Sequence, residues 1–408
     1  MGKNLKNLRF TVKPTTSEGE KALELARTIG VHPLTYQELP FDPEYSIYAG
    51  RLTPEKLSNA TPEEMYWKIR QELIFRHTGE HPFEISGPDA LKLLQKIFPR
   101  DISKVKIGRC SYQFACYHDG GIITDGILLR IDQNKYWFAQ AEGDMFSWYK
   151  AQAEGLNVNI VEPNVWVSQV QGPKSMELLD LLTKTNMSSN WKYFDWKEAN
   201  ISGEKTIISR SGFSNELGWE IYFRPENNIE KLGDLILEEG SKMGMIITAT
   251  PVFRCRRIEA GLLSAGQDFT NKTNPYSVGL GRFVDIEKEN FIGKEALQKA
   301  NKKCQTWGIR IEKGTAIRGK SLKINSQVVG EVTSSTWSPF QVCGVGIVYM
   351  QNSDLGPGTV VDVDCTNGEC HKGELCELPM YDPKGEIVRG KNKDIPNEPN
   401  PWIGIKKK

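Results

Sequence analysis

The feature that most constrains this chain is a supersecondary unit written twice. FEISGPDALKLLQKIF at 83–98 and VSQVQGPKSMELLDLLT at 167–183 each read as a strand, a Gly-Pro corner and an amphipathic helix. In both copies the proline falls near the first helical turn, where its missing N–H would have had no intrahelical acceptor. The leucines then return every three or four residues, so each helix carries one apolar stripe that must be buried. This pairing predicts a pseudo-duplicated α+β body.

The segments around the two copies fill in that body. Strands are expected at 122–131, 135–141, 204–210 and 218–223, with a helix around 228–242. Alternation in KYWFAQA places aromatics on one sheet face. Ahead of the copies, 19–29 has helical spacing, 31–60 reads as an irregular arm punctuated by Pro33, Pro40, Pro43 and Pro54, and a Tyr-rich helix is expected over 62–76. After FIGKEALQKA at 291–300 the periodicity changes to short strands separated by glycine turns, which predicts a small antiparallel barrel or sandwich. The expected organisation is an N-terminal arm with helices over 1–80, a body of two interleaved domains over 81–300, a C-terminal barrel over 301–385 and a surface tail over 386–408.

Length and charge then exclude function classes. A chain of 408 residues exceeds the size at which one core usually stops growing, and 52 basic against 51 acidic residues give no pull toward nucleic acid or an anionic membrane. No stretch approaches the roughly 20 apolar residues of a membrane span, and the amino terminus lacks a secretory pattern, so a cytoplasmic protein is expected. The eight cysteines are widely spread and read as free thiols. The sequence has no GxGxxG, P-loop, HExxH or GxSxG pattern. Cys365, Cys370, His371 and Cys376 lack the close cysteine pair of a zinc site, so no metal is expected.

Three segments carry chemistry. In SRSGFSNELGWEIYF, 209–223, Gly212 and Gly218 bracket a polar bulge bearing Glu216, followed by Trp219. A carboxylate there can accept two parallel N–H bonds from a flat ligand. In HDGGIITDGILL, 118–129, Asp125 stands inside an apolar strand beside Thr124, an expensive position unless the acid is paired or faces a polar cavity. In the third, 253–283, Arg257 and Glu259 begin a helix of small residues, and the loop beyond it holds Asp268, Asn271, Asn274 and Tyr276. A solvated hairpin, an Arg-paired aspartate and a core Arg–Glu pair are the structural alternatives at the three places.

Taken in order, ISGPDALKLL, GGIITDGILL, VQGP, SGFSNELGWEIY, RIEAGL, FIGKEAL and TSSTWSP make the chain resemble the glycine cleavage T-protein superfamily over roughly 62–380. Within it, PRDISKVKIGRCSY and GQDFTNKTNPYSVG are most similar to the dimethylsulfoniopropionate demethylase branch. The resemblance implies a three-domain architecture around a central opening that holds tetrahydrofolate. It assigns Glu216 to the pterin, Tyr112 to the lining of the same site, and Asp125 to the second position of an Asp-Asp pair. Thr124 stands at the first position of that pair, and Phe253 replaces an arginine of the family pattern.

The expected activity is transfer of a methyl group from a small onium donor to N5 of tetrahydrofolate. O-demethylation of a methoxylated aromatic, aminomethyl transfer and noncatalytic folate binding are the alternatives. Asp125 and Tyr276 are the candidate catalytic groups. Glu216, Tyr112, Thr124 and Trp219 are assigned to the folate, and Arg257, Trp137 and Trp148 to the donor, the cation through its carboxylate and the indoles through cation–π contact. A small-molecule donor is the expected partner, and a homodimer is left open.

Overall fold

The computed structural model describes residues 29–185 and 191–405. The helical pattern at 19–29 therefore lies almost wholly outside the described residues. The chain opens with a hairpin, β1 Glu44–Tyr48 and β2 Arg51–Lys56, followed by helix α1 Pro62–Gln71. Thr61 starts α1 with a capping box: its hydroxyl accepts from the Glu64 N–H, while the Glu64 carboxylate accepts from the Thr61 N–H. The helix expected over 62–76 stops at Gln71, because 74–77 form strand β3, Ile74–His77. Its residues are buried between neighbouring strands, a setting that favours β-branched and aromatic side chains over helical propensity.

The two copies then appear in order. The first runs β4 His81–Ser86, α2 Ala90–Ile97, β5 Cys110–Cys116, β6 Ile122–Asp132, β7 Lys135–Gln140, α3 Met145–Gln152 and β8 Asn159–Val161. The second runs β9 Trp166–Gln171, α4 Ser175–Thr183, β10 Trp196–Ile201, β11 Glu204–Ser209, β12 Gly218–Phe223, α5 Ile229–Lys242 and β13 Ile246–Ile247. Their sheets have strand orders β5-β6-β7-β4-β8 and β10-β11-β12-β9-β3-β13. In each, a three-stranded meander returns its last strand to pair with the strand that opened the copy. The corner glycines explain the repeated motif. Gly87 and Gly172 have φ of 121° and 125°, and a Cβ would stand 2.7 Å from Asn157 O in one and 2.4 Å from Glu72 O in the other. Only glycine fits either corner.

Strand β3 precedes the first copy in sequence yet lies in the second sheet, between β9 and β13. The two domains are interleaved through this strand, so a boundary at residue 81 cuts across a sheet. The helices pack on the outer faces. Leu93, Leu94 and Ile97 enter a core with Phe138 and Tyr149, and Leu178, Leu182 and Ile236 enter another with Trp219 and Phe223. A third cluster with Leu129, Trp137, Val167 and Tyr222 draws on both sheets and holds them together.

Helix α6 Thr250–Ala260 joins body to barrel, with Pro251 in its first turn and Gly261, at φ 69°, ending it. A short helix, α7 Lys294–Lys299, precedes six strands: β14 Thr306–Ile311, β15 Ser321–Ile324, β16 Gln327–Ser338, β17 Cys343–Met350, β18 Val360–Asp364 and β19 Cys370–Cys376. They close in the order β14-β17-β16-β15-β18-β19 as the expected antiparallel barrel. The fold is the expected α+β body with a C-terminal antiparallel barrel. The segment expected as a surface tail lies on the surface through residue 405 and is pinned at a few points: Ile387 and Val388 are buried, Gln71 donates to Pro396 O, and the Trp402 N–H donates to Gln341 O of the barrel. All eight cysteines are free.

Candidate functional site

A cavity of about 1010 Å³ opens between the two sheets and the start of the barrel linker. The first sheet contributes Tyr112 from β5 and Asp125 from β6; the second contributes Glu220 and Tyr222 from β12 and Ser211 just after β11. The hairpin and the β3–β4 turn add Tyr48 and Glu80, and the segment after α6 adds Gly261–Ala265, Arg282 and Phe283. Exposed cations Lys192, Arg282, Arg389 and Lys391 stand at the rim, whereas the acids Asp125 and Glu220 are buried. The cavity therefore has a cationic mouth, and inside it the buried acids share the lining with the buried Arg210.

Asp125 accepts one side-chain hydrogen bond, from Tyr112 Oη at 2.8 Å. Burial lifts its carboxyl to about 6, against the lowering effect of that bond. The Tyr112 phenol is pushed up by burial and by Asp125, so it stays protonated and remains a donor. Glu220 is held more fully. Its Oε1 accepts from Gln169 Nε2 at 3.1 Å, and its Oε2 from Ser211 at 2.6 Å, Tyr222 at 3.1 Å and Ser209 at 3.3 Å. Burial and the neighbouring Glu80 raise it to about 7, while the hydroxyl donors pull the other way.

The remaining residues singled out from sequence lie elsewhere. Glu216 is buried off the cavity, bound by Arg256 Nη2 at 2.6 Å and Tyr381 Oη at 2.8 Å. Arg256 also pairs with Glu259, so the bulge carboxylate ties α6 to the second sheet. The glycines bracketing it make room for a protein side chain: a Cβ on Gly212 or Gly218 would meet the Gln171 amide at 2.2–2.3 Å. Trp219 is fully buried in the outer core, edge-on to Trp191 at 5.3 Å. Thr124 turns away from the cavity and donates to Glu142 O.

Arg257 is engaged by Asp268 at 2.6 Å and Ser334 at 2.7 Å, a link between α6 and the barrel. Trp137 lies in the core between the sheets and donates to Glu84 at 2.9 Å. Trp148 packs on α3 against Tyr117 and His118. Tyr276 packs in the core beneath the barrel, with Lys302 Nζ 3.9 Å from its ring centre. Of the nine nominated residues, Asp125 and Tyr112 line the cavity. Sequence reasoning missed Glu220, although strand alternation held the signal: Glu220 is one residue from Trp219, and adjacent strand residues face opposite sides.

A duplicated α+β body with a closed barrel, around a central cavity that combines buried acids with a cationic rim, defines the T-protein class. Comparison with known proteins agrees. Residues 32–288 match the GCVT N-terminal domain and residues 305–382 match the glycine cleavage T-protein C-terminal barrel domain. The chain is 31% identical over 320 residues to an aminomethyltransferase of Symbiobacterium thermophilum, covering 75% of this chain and 84% of that one. It is 29% identical over 334 residues to the dimethylsulfoniopropionate demethylase of Ruegeria pomeroyi, covering 79% and 90%. The glycine cleavage system aminomethyltransferase T from Bartonella henselae superposes with a TM-score of 0.78 at 22% identity, covering 87% of this chain and 98% of that one. The chain belongs to the glycine cleavage T-protein family of tetrahydrofolate-using one-carbon transferases. No helix among the described residues is long and apolar enough to cross a membrane.

The cavity fits the cofactor of that family. Glu220 Oε1, with one protein donor, offers a fixed buried acceptor to an N–H of a pterin, aromatic side chains give flat faces, and the cationic rim suits an anionic glutamyl tail.

Proposed function

We propose that this protein transfers a one-carbon unit from a small donor to tetrahydrofolate, acting as an aminomethyltransferase. The observation that carries the reading is the pairing, in one cavity, of a carboxylate braced by four donors on the second sheet with a sparsely bonded one on the first. Tetrahydrofolate, when bound, supplies the nucleophilic nitrogen that accepts the carbon. Glu220 holds the pterin edge by accepting an N–H at Oε1, which has one protein donor, while three donors fix its Oε2, and Arg282, Arg389 and Lys391 attract the glutamyl end.

Asp125 is the group for proton and charge chemistry. With its carboxyl near 6 it is mostly ionised at neutral pH, yet basic enough to accept a proton from an amine or balance a cationic donor. Tyr112 fixes its orientation. Thr124 in place of a family acid does not weigh against aminomethyl transfer here, because position 124 faces Glu142 rather than the cavity. Positioning of donor and acceptor supplies much of the remaining rate.

Methyl transfer from an onium donor is the second reading, favoured by the aromatic walls at Tyr48, Tyr112 and Phe283, which suit a cation by ring-face attraction. Mass spectrometry of anaerobic mixtures of protein, tetrahydrofolate and donors separates the two. Methylene-tetrahydrofolate with ammonia from an aminomethyl donor supports the first; 5-methyl-tetrahydrofolate from an onium donor supports the second. Folate binding without either product points to a noncatalytic folate-binding protein. Absence of folate binding sinks both transfer readings.

A further inference from the structure

The segment after the barrel is a strap tied down at both ends. It begins where Arg310 Nη2 donates to Met380 O at 3.1 Å and Tyr381 Oη donates to Glu216 at 2.8 Å. It ends where the Asn400 and Trp402 N–H groups donate to Phe340 O and Gln341 O, in the turn between β16 and β17. The matched barrel domain stops at residue 382, so nearly all of the span between these anchors lies outside it. Within that span the strap crosses the cavity mouth, where Arg389 and Lys391 join the lining. Asp382 shapes the crossing by accepting from the Glu386 and Ile387 N–H groups at 2.8 and 2.9 Å, and Gly385 and Gly390, at φ of 61° and 65°, are its turning points. Farther on, Gln71 holds the strap to the body by donating to Ile395 O at 3.4 Å and Pro396 O at 2.7 Å.

The two strap cations have no carboxylate of their own. Arg389 Nη1 donates to Lys384 O at 3.0 Å and Gly385 O at 2.7 Å, carbonyls of the strap itself, and its guanidinium lies 5.5 Å from the Tyr193 ring centre. Lys391 has no side-chain partner among the described residues. Lys192 and Arg282, exposed on the same rim, also lack a bonded carboxylate among those residues. Like charges gathered at one opening favour an anion that enters it. A neutral carbonyl is also a weaker partner for a guanidinium than a carboxylate, which can take two of its N–H groups at once. Arg389 is therefore parked on its own turn, and a ligand carboxylate at the mouth competes favourably for it.

We propose that the strap is a clamp on the bound cofactor: when the glutamyl carboxylates reach the mouth, Arg389 exchanges its carbonyls for them, Lys391 joins it, and segment 385–399 tightens over the opening and slows release. This rests on the tetrahydrofolate reading of the cavity, and it gives a role there to a part of the chain outside the matched barrel domain. The strap is suited to such a movement because its anchors hold its ends while its middle lies on the surface, mostly exposed.

Hydrogen exchange of the full chain tests it, read by mass spectrometry on peptides spanning 385–399. The free protein is compared with protein saturated by tetrahydrofolate, or by its bis-amide, in which both glutamyl carboxylates are neutral. Tetrahydrofolate should slow exchange in the strap about tenfold, the scale of one charge-assisted contact, and the bis-amide should leave it as in the free protein. The double variant Arg389→Gln, Lys391→Gln should lose the slowing and release tetrahydrofolate about tenfold faster in stopped-flow measurements. Lys393→Gln makes the same kind of charge change on the strap at an exposed position outside the cavity lining, and should behave as wild type. Unchanged exchange in the barrel strands shows that the variants fold. Strap exchange that tetrahydrofolate leaves unaltered overturns the clamp, as does slowing that the bis-amide reproduces or a double variant that keeps either the slowing or the slow release. Each of these results leaves the cofactor reading standing, whereas a wild type that binds no tetrahydrofolate removes that reading itself.

Discussion

The two copies of the body share a topology but treat their carboxylates differently. In the first, Asp125 on β6 has one side-chain donor, Tyr112. In the second, Glu220 on β12 has four, from Gln169, Ser209, Ser211 and Tyr222. Burial lifts both, to about 6 and about 7. An acid with four donors is locked as a receptor; an acid with one can change protonation at little structural cost. The repeated topology gives two similar walls, and in the proposed reaction the hydrogen bonding makes the second the binding wall and the first the reacting one.

The sharpest way to break this comparison is to neutralise the reacting wall. Asp125→Asn should lower kcat by about 100-fold, a usual scale for loss of a positioned acid–base group, with tetrahydrofolate affinity little changed. Steady-state kinetics beside a folate titration checks it, and an equal loss in both readouts would merge the two roles. The Glu216 carboxylate supplies a contrast within the second copy. Glu216→Gln should destabilise the fold by about 1–3 kcal/mol, because it removes one of the two carboxylates that balance buried Arg256, yet spare the folate affinity of the protein that remains folded. Denaturant unfolding measures the first and folate titration the second.

Glu220→Gln should weaken tetrahydrofolate binding by about tenfold while changing kcat less, since one charge-assisted bond to the pterin is lost. The pH dependence sharpens the division further. Folate affinity should fall as pH drops through about 7, where Glu220 takes up a proton, and turnover should fall through about 6, where Asp125 does. Stability of the unliganded chain runs the other way. A carboxyl raised by folding contributes stability below its ordinary value of 4.5 that is lost as pH rises through about 7. The Glu220→Gln variant should lack that component of the melting-temperature profile. The smallest effect belongs to Thr124→Ser, which keeps the hydroxyl bonded to Glu142 O. It should cost less than about 1 kcal/mol and leave kcat unchanged, and a large loss of turnover there would put position 124 back in the chemistry.

Much of the fold was legible because it rests on local chemistry. The Gly-Pro corners, the leucine stripes and the change to short strands after residue 300 each follow from backbone sterics or apolar periodicity, and they became two copies and a barrel. The site was less legible. In β6 the sequence shows Thr124 next to Asp125, and in β12 it shows Trp219 next to Glu220; alternation guarantees that each pair splits between faces. Which face meets a cavity depends on the partner sheet. Glu216 attracted attention because glycines surround it, but those glycines accommodate Gln171, a residue some forty positions away. Arg257 resembled a ligand-binding cation until Asp268 and Ser334 closed on it.

By itself, then, the sequence determined the duplicated units, the barrel and the presence of an acid inside the apolar strand at 125, since these depend on neighbours in the chain. Only tertiary structure decided that β3 would thread into the second sheet and that Glu220 would face the cavity while Glu216 held Arg256. The physical reason is that a charged side chain's role is set by what reaches it within a few ångströms in a low-dielectric interior, and those partners come from strands distant in sequence.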